Sequence, residues 1–385
     1  MLAMSVWFSA SAVVPQLARL WRLGALGSAG LTISVQLGFA LGALVSALLN
    51  AADRIPPRRL ISGCALLAAA ATALIAWAAP GLGPTLLLRF LTGFALAGVY
   101  PVGMKVMSTW TREDRGTWIG VMIGAIATGS AAPHLLRAFG GIGDWRRVLL
   151  GAALLGALGA ALSLAIVSEG PYARPAPPFR WRYVGEIFSE RGVMLANFGY
   201  LGHMWELYAM WAWVPLFLRE SFSRRGASDG LAAVAAFTVV AAGGPGSWLG
   251  GKVADRWGRT TLTLISLWVS GACCLAAGFF LGAPVALTWA LCFVWGLAVV
   301  ADSAQFSACI TELCRPEYTG TALTLQTSLG FLLTSLTIQL VPTLRQALGW
   351  QGAFMVLALG PAFGIASMAA LRRSPEAAQL AGGRR

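Results

Sequence analysis

From end to end, this chain alternates runs of about 20 apolar residues with short polar breaks, and few folds accommodate that rhythm. The runs fall near 2–20, 30–52, 60–79, 84–107, 116–138, 146–167, 191–218, 230–251, 260–281, 285–310, 320–343 and 351–371. Each is long enough to cross the hydrocarbon core of a bilayer, where the backbone must bond to itself. Only 11% of residues are charged and 57% are hydrophobic, against roughly 25% charged in soluble domains. Too few charges remain to clothe a water-soluble surface. The fold class expected is an all-α membrane protein of twelve spans. Its 46 glycines suit helices that approach closely in lipid.

The net charge of +13 does not point to nucleic acid, because the basic residues are dispersed and form no basic helix face. Cys64, Cys273, Cys274, Cys292, Cys309 and Cys314 show no metal-ligand spacing and read as small buried hydrophobes. No metal or other cofactor is implied, and no nucleophile–base motif or phosphate loop points to an enzyme. Met1–Val14 lacks the basic flank of a secretory leader and reads as part of the first span.

Basic residues in short loops set orientation. With the N-terminus inside, 17 Lys/Arg fall on the cytoplasmic side and nine outside, with Arg89 and Lys105 inside the fourth span. Both termini are expected in the cytoplasm. The longest polar interruption, Ser168 to Arg191, carries four prolines between Pro171 and Pro178. It divides the chain into a six-helix bundle over 1–167, a cytoplasmic linker over 168–190, a second bundle over 191–371 and a tail over 372–385.

The two bundles are related. At an offset of 200 to 205 residues, Pro15-x-x-x-Arg19 returns as Pro215-x-x-x-Arg219 and Asp53-Arg54 as Asp255-Arg256. Likewise Phe90-x-x-Gly93-x-Ala95 returns as Phe293-x-x-Gly296-x-Ala298, Glu113-x-x-Gly116-Thr117 as Glu317-x-x-Gly320-Thr321, and Trp145 as Trp350. Five matches in one order mark a duplication, hence two parallel six-helix halves.

With these residues the chain resembles the major facilitator superfamily of secondary transporters. The family's loop motif stands as Gly251-x-x-x-Asp255-Arg256-x-Gly258-Arg259, with a degenerate first-half copy at Asp53-Arg54. The fourth-span motif reads Arg89-x-x-x-Gly93-x-x-x-Ala97-Gly98. The resemblance implies two pseudo-symmetric bundles around a central cavity that opens to each side in turn. It also implies a cytoplasmic gate built from Asp53, Arg54, Gly251, Asp255, Arg256, Gly258 and Arg259, with Glu113 and Glu317 as acid partners. Charges at helix ends there gain about 0.3–1 kcal/mol each.

Of fifteen acids, only Glu206 and Asp302 fall within spans. An ionisable group there costs on the order of 3 kcal/mol and marks a cavity or relay by default. His203 and Glu206 share a helix face at i, i+3. Glu206 is expected to carry the coupling proton with His203 beside it, although a static hydrogen bond between helices is the competing reading. Asp302 and Arg89 complete the proton-coupling or substrate set, and Arg89 requires an acid or substrate partner. Trp205, Tyr208, Trp211, Trp213 and Trp295 are expected to line the cavity, with Tyr100 and Gln326 as further candidates.

This inventory suits a small organic solute, an amphiphilic cation among them, moved by a monomer in the cytoplasmic membrane with the proton gradient as driving force. Uptake symport, efflux antiport and uncoupled facilitation all fit. A transport-fold sensor or a lipid flippase fits less well.

Overall fold

The computed structural model describes residues 1–78, 81–110, 115–141, 144–173, 179–180 and 182–384, and among them all regular structure is helical. Among the described residues, nine stretches are long and apolar enough to cross a membrane. One of these, Thr319–Arg373, turns at Gly349, whose φ of 68° only glycine adopts readily, and so counts as two. Arg191–Ser223 joins the set with a lower hydropathy, because it concentrates Asn197, His203, Glu206 and several amphipathic aromatics.

In chain order α1 is a broken span, Leu2–Val6, Ser9–Ala12 and Val14–Trp21. Next come α2 (Ala25–Leu48), α3 (Pro57–Ala78), α4 (Leu82–Trp110), α5 (Arg115–Leu136) and α6 (Trp145–Ile166). The second half holds α7 (Arg191–Ser223), α8 (Asp229–Trp257), α9 (Arg259–Ala277), α10 (Val285–Leu313), α11 (319–348) and α12 (350–373). The sequence placed the second span at 30–52, and it lies four to five residues earlier, since Asn50 in the left-handed region ends it. The first span was expected unbroken and is not. It parts around Trp7–Phe8, for a reason that lies in α4.

Packing repeats between the halves. The α2·α4 and α3·α6 pairs of the first half correspond to α8·α10 and α9·α12 of the second. Between halves, α2 lies against α11 and α5 against α8. Adding six to the first-half number of one pair and taking six from its second-half number gives the other, as a twofold exchange of bundles requires. The shared Phe-x-x-Gly-x-Ala motif explains the inner pairs: Gly93 seats on the Val35 carbonyl and Gly296 on the Val239 carbonyl, so a Cβ at either would strike backbone. Dispersion between closely apposed backbones drives such packing in lipid. Span α5 meets α8 the same way, with Gly116, Gly120 and Gly124 against the Gly244–Gly251 stretch.

Large apolar side chains face outward around the bundle, among them Trp77 (82% exposed), Phe139 (81%), Leu154 (71%) and Trp268 (65%). Water would not tolerate that belt, whereas acyl chains cover it.

Replacing Gly93 or Gly296 with valine forces two helices apart and costs about 1–3 kcal/mol or more. Valine at Gly63, which has open space around it, is neutral. Melting temperatures in detergent should fall for the first two variants and hold for the third.

Candidate functional site

Arg89 is completely buried in α4, and its fork is spent on backbone. Nη1 donates to the Val6 carbonyl at 2.8 Å and to Ser9 Oγ at 3.2 Å, Nε donates to the Leu31 carbonyl at 3.1 Å, and Nη2 donates to the Trp7 carbonyl. The break in α1 frees the Val6 and Trp7 carbonyls for the guanidinium, while the Leu31 carbonyl comes from the neighbouring α2. The acid or substrate partner expected for Arg89 is therefore not needed; three carbonyls and a hydroxyl do that work. The break turns Trp7 and Phe8 into the seam between halves.

There they meet aromatics from three other spans, α2, α7 and α11. Trp7 packs on Phe39 (ring centroids 4.9 Å apart), Phe331 (5.6 Å) and Tyr208 (5.9 Å), while Phe8 packs on Trp211 (5.9 Å). Phe39 meets Phe331 at 4.4 Å, the closest pair, and stacks on Tyr100 at 6.3 Å. Tyr208, Trp211 and Tyr100 thus join this cluster. Trp7, Phe8, Phe39 and Phe331 were missed, since in an apolar run an aromatic facing the seam looks like one facing lipid. Among the described residues, Trp7 Nε1 and Trp211 Nε1 are buried without a hydrogen-bond partner. So are both polar atoms of the Gln36 amide, one turn before Phe39 on α2.

The ionisable groups lie beside the seam, within the second bundle. Glu206 accepts from Trp295 Nε1 at 2.5 Å, Ser270 Oγ at 2.9 Å and Cys274 Sγ at 3.1 Å, which ties α7 to α9 and α10. One turn earlier, His203 Nδ1 stands 3.0 Å from Asp302 Oδ1, with the ring turned out of hydrogen-bond alignment. Its Nε2 meets Ser303 Oγ at 2.9 Å. Asp302 sits where α10 breaks between Val285–Ala301 and Ser303–Leu313. Nearer the loop motif, Gln326 donates to Asn197 at 3.0 Å and accepts from Ser307 at 3.4 Å. Asn197, Ser303 and Ser307 were missed, being too common a residue type to single out. Trp205 and Trp295 do not reach the seam: the first donates to the Val356 carbonyl at 3.2 Å, the second to Glu206. Trp213 donates to the Ile338 carbonyl at 2.9 Å and lines a separate cleft, at the end away from the loop motif.

The loop motif of the second half closes one end of the seam. Asp255 Oδ2 accepts from the Thr117 N–H and hydroxyl, each at 3.1 Å, so an α8 carboxylate caps the first turn of α5 across the halves. Gly116 and Gly251 allow that approach. Arg259 bonds Asp255 at 2.7 Å, Gln305 at 3.0 Å and Glu312 at 3.0 Å. The acid partners of Arg259 are thus Asp255 and Glu312 at the end of α10, whereas Glu317 is exposed beyond it; Glu113 lies outside the described residues. Gly258, with φ of 99°, makes the turn from α8 to α9, and Arg256 is exposed. Tail residues join in: the Ala381 N–H donates to Glu312 at 2.8 Å and Arg384 to the Asp255 carbonyl.

The first-half copy does not repeat this. Asp53 pairs with Lys105 of α4 at 2.5 Å, and Arg54 is exposed. Thr321, the counterpart of Thr117, accepts from the Arg180 N–H at 3.2 Å. Lys105, which a snorkelling reading would send to the interface, is an ion-pair partner instead.

The sequence model of the Major Facilitator Superfamily matches residues 1–338. No curated protein matches the chain. The match covers most of the length, so the chain belongs to that superfamily and is a multi-pass membrane transporter.

Replacing Arg89 with methionine removes the guanidinium's bonds to the Val6, Trp7 and Leu31 carbonyls, at about 1.5–3 kcal/mol for each hydrogen bond to a charged group. The melting temperature should drop steeply for Arg89→Met and less for Arg89→Lys. An unchanged value would mean that the guanidinium does not hold the break in α1.

Proposed function

We propose that this member of the Major Facilitator Superfamily is a proton-coupled secondary carrier of a small organic solute, working by alternating access through the seam between its halves. The observation that carries the reading is the cross-half aromatic cluster of Trp7, Phe8, Phe39, Tyr208, Trp211 and Phe331, with unpaired polar atoms of Trp7, Gln36 and Trp211 at or near it. Buried donors and acceptors without partners cost free energy unless something fills them, and a polar solute lodged among the rings would do so.

The Asp255–Thr117 tie joins the halves at one end, and Arg137, Asp229 and Arg219 meet across them at the other, with 3.8 Å between Arg137 and Asp229. Contacts that hold only while an end is closed bias a two-state exchange. In the orientation given by the basic loops, the Asp255 end faces the cytoplasm together with the C-terminal tail. The carrier acts as a monomer in the cytoplasmic membrane, requires no cofactor and draws on the proton gradient.

We place the coupling proton on His203 and Asp302 rather than on Glu206. Three donors saturate Glu206, which makes it a tie between helices, whereas the imidazole and carboxylate lie close and imperfectly aligned at the break of α10. A proton shared or surrendered there switches the pair between attracting and merely touching, and the break lets α10 respond.

Proteoliposome flux with an imposed pH gradient tests this, using a solute identified by ligand-induced thermal stabilisation. Asp302→Asn should abolish accumulation above equilibrium while counterflow exchange persists within a few-fold of the parent. Accumulation at the parent level in that variant removes the pair from coupling. Orientation has its own test. A cysteine placed at Arg256, in a background lacking the native cysteines, should react with membrane-impermeant maleimide only after cells are opened.

A further inference from the structure

At the end opposite the loop motif, α5 does not finish as an ordinary helix. It widens into a π turn over Arg137–Gly141, a distortion common where side chains are aimed at a function. The turn directs Arg137 inward, so that only 6% of it is exposed. Its neighbours are few. Asp229, in the first turn of α8, holds Arg219 Nε with both oxygens at 3.1 and 3.2 Å, and Arg137 Nη2 reaches the same carboxylate at only 3.8 Å. Arg137 Nε has no hydrogen-bond partner among the described residues. His134, one turn back on α5, is buried and its Nδ1 is likewise unpartnered. Two guanidiniums therefore share one carboxylate, which leaves the cluster one positive charge in excess.

The excess charge faces a cleft. Arg137 and Arg219 line a space of about 30 Å³, with the Ser11 and Thr32 hydroxyls and Trp213 as other walls. That is room for one or two waters with this end closed. Corresponding residues of the two repeats line it together, Ala12 with Ala212 and Pro15 with Pro215, so it lies on the line about which the halves exchange. Phe8 and Trp211, neighbours in sequence of those positions, belong to the aromatic seam. The cleft is thus the vestibule of the seam, with Arg137 supplied by the first half and Arg219 by the second.

We propose that the Arg137–Arg219 cleft is a recognition site for the carboxylate of an organic anion, and that this anion is the class of solute carried. A carboxylate offers two acceptor oxygens to the free Arg137 edge, the geometry that guanidinium matches in pairs. It supplies the missing negative charge, and by bridging arginines from opposite halves it favours closure of this end. The aromatic seam then receives the apolar body of the same molecule. An amphiphilic cation, by contrast, meets uncompensated positive charge at the entrance. The assignment deepens the transport reading and rests on it for the role of closure.

Binding by the full chain in phosphatidylcholine nanodiscs, which carry no net anionic headgroups, separates the possibilities. The probes are benzoate, benzamide, benzylamine and inorganic phosphate, followed by isothermal titration at low salt. Benzoate should bind at least tenfold tighter than the other three, and more weakly as salt rises. Arg137→Gln and Arg219→Gln should each weaken benzoate at least tenfold, with Arg137→Lys between them and the parent. Asp229→Asn removes the competing carboxylate and should tighten benzoate several-fold, an effect that simple loss of folding cannot produce. Equal binding of benzamide or benzylamine, binding of phosphate in place of benzoate, or indifference to Arg137→Gln would each overturn the assignment. A carrier with no anion preference would still accumulate some solute in the flux assay, so the two readings fail separately.

Discussion

Away from water a guanidinium must be given partners, and three buried arginines show how completely this protein supplies them. Arg89 takes three carbonyls and a hydroxyl, all within the first half. Arg259 takes two carboxylates and an amide, and one of those carboxylates reaches across to the first turn of α5. Arg137 takes a distant share of one carboxylate already engaged by Arg219. The series runs from saturated and local, through saturated and spanning the halves, to under-supplied and spanning them. A saturated local charge has no reason to move. A saturated charge at the seam holds one closed end, and an under-supplied one there leaves room for a ligand.

The duplicated halves are alike in packing and unlike in charge. Gly93 on Val35 and Gly296 on Val239 are one contact made twice, because backbone approach depends only on where glycine falls. The loop motif depends on several charged residues at once, and those have diverged. Where α8 sends Asp255 to the N-terminus of α5, the first half turns Asp53 onto its own Lys105 and leaves Thr321 to the Arg180 backbone. One closed end therefore rests on a single ion cluster, at α5·α8, with the linker standing where a second would be.

The same division governs what could be read from the residues alone. Spans, repeat and glycine contacts were legible, because apolar length and glycine spacing act locally and recur. The partners of charged groups were not. Nothing in the order of residues says that Arg89 meets carbonyls from a break in α1, or that Glu312 rather than Glu317 reaches Arg259. Type also fails to distinguish the two sides of a helix in lipid. Trp7 is 1% exposed at the centre of the seam and Trp77 is 82% exposed on the outer face, and each stands in an apolar run. Trp350, which its place at a helix end marks as an interface anchor, is instead buried and donates to Glu220 at 2.6 Å.

Charge and rings are kept apart along the pathway, and that separation shapes how coupling can work. Among the described residues the aromatic seam contains no ionised side chain, so a solute within it would feel surfaces and a few dipoles rather than a counter-ion. The titratable pair lies one layer behind, where His203 packs on Phe306 at 5.3 Å and on Tyr200 at 6.3 Å. Tyr200 in turn lies flush on Gly330 of α11, one residue before Phe331 of the seam. Under the coupling proposed above, a change of charge at His203 and Asp302 does not reach the solute by direct attraction. It must travel as a displacement of α10 at its break and of the rings packed against it. Packed rings have discrete arrangements rather than a continuum, so such a route converts one proton into a choice between two seams.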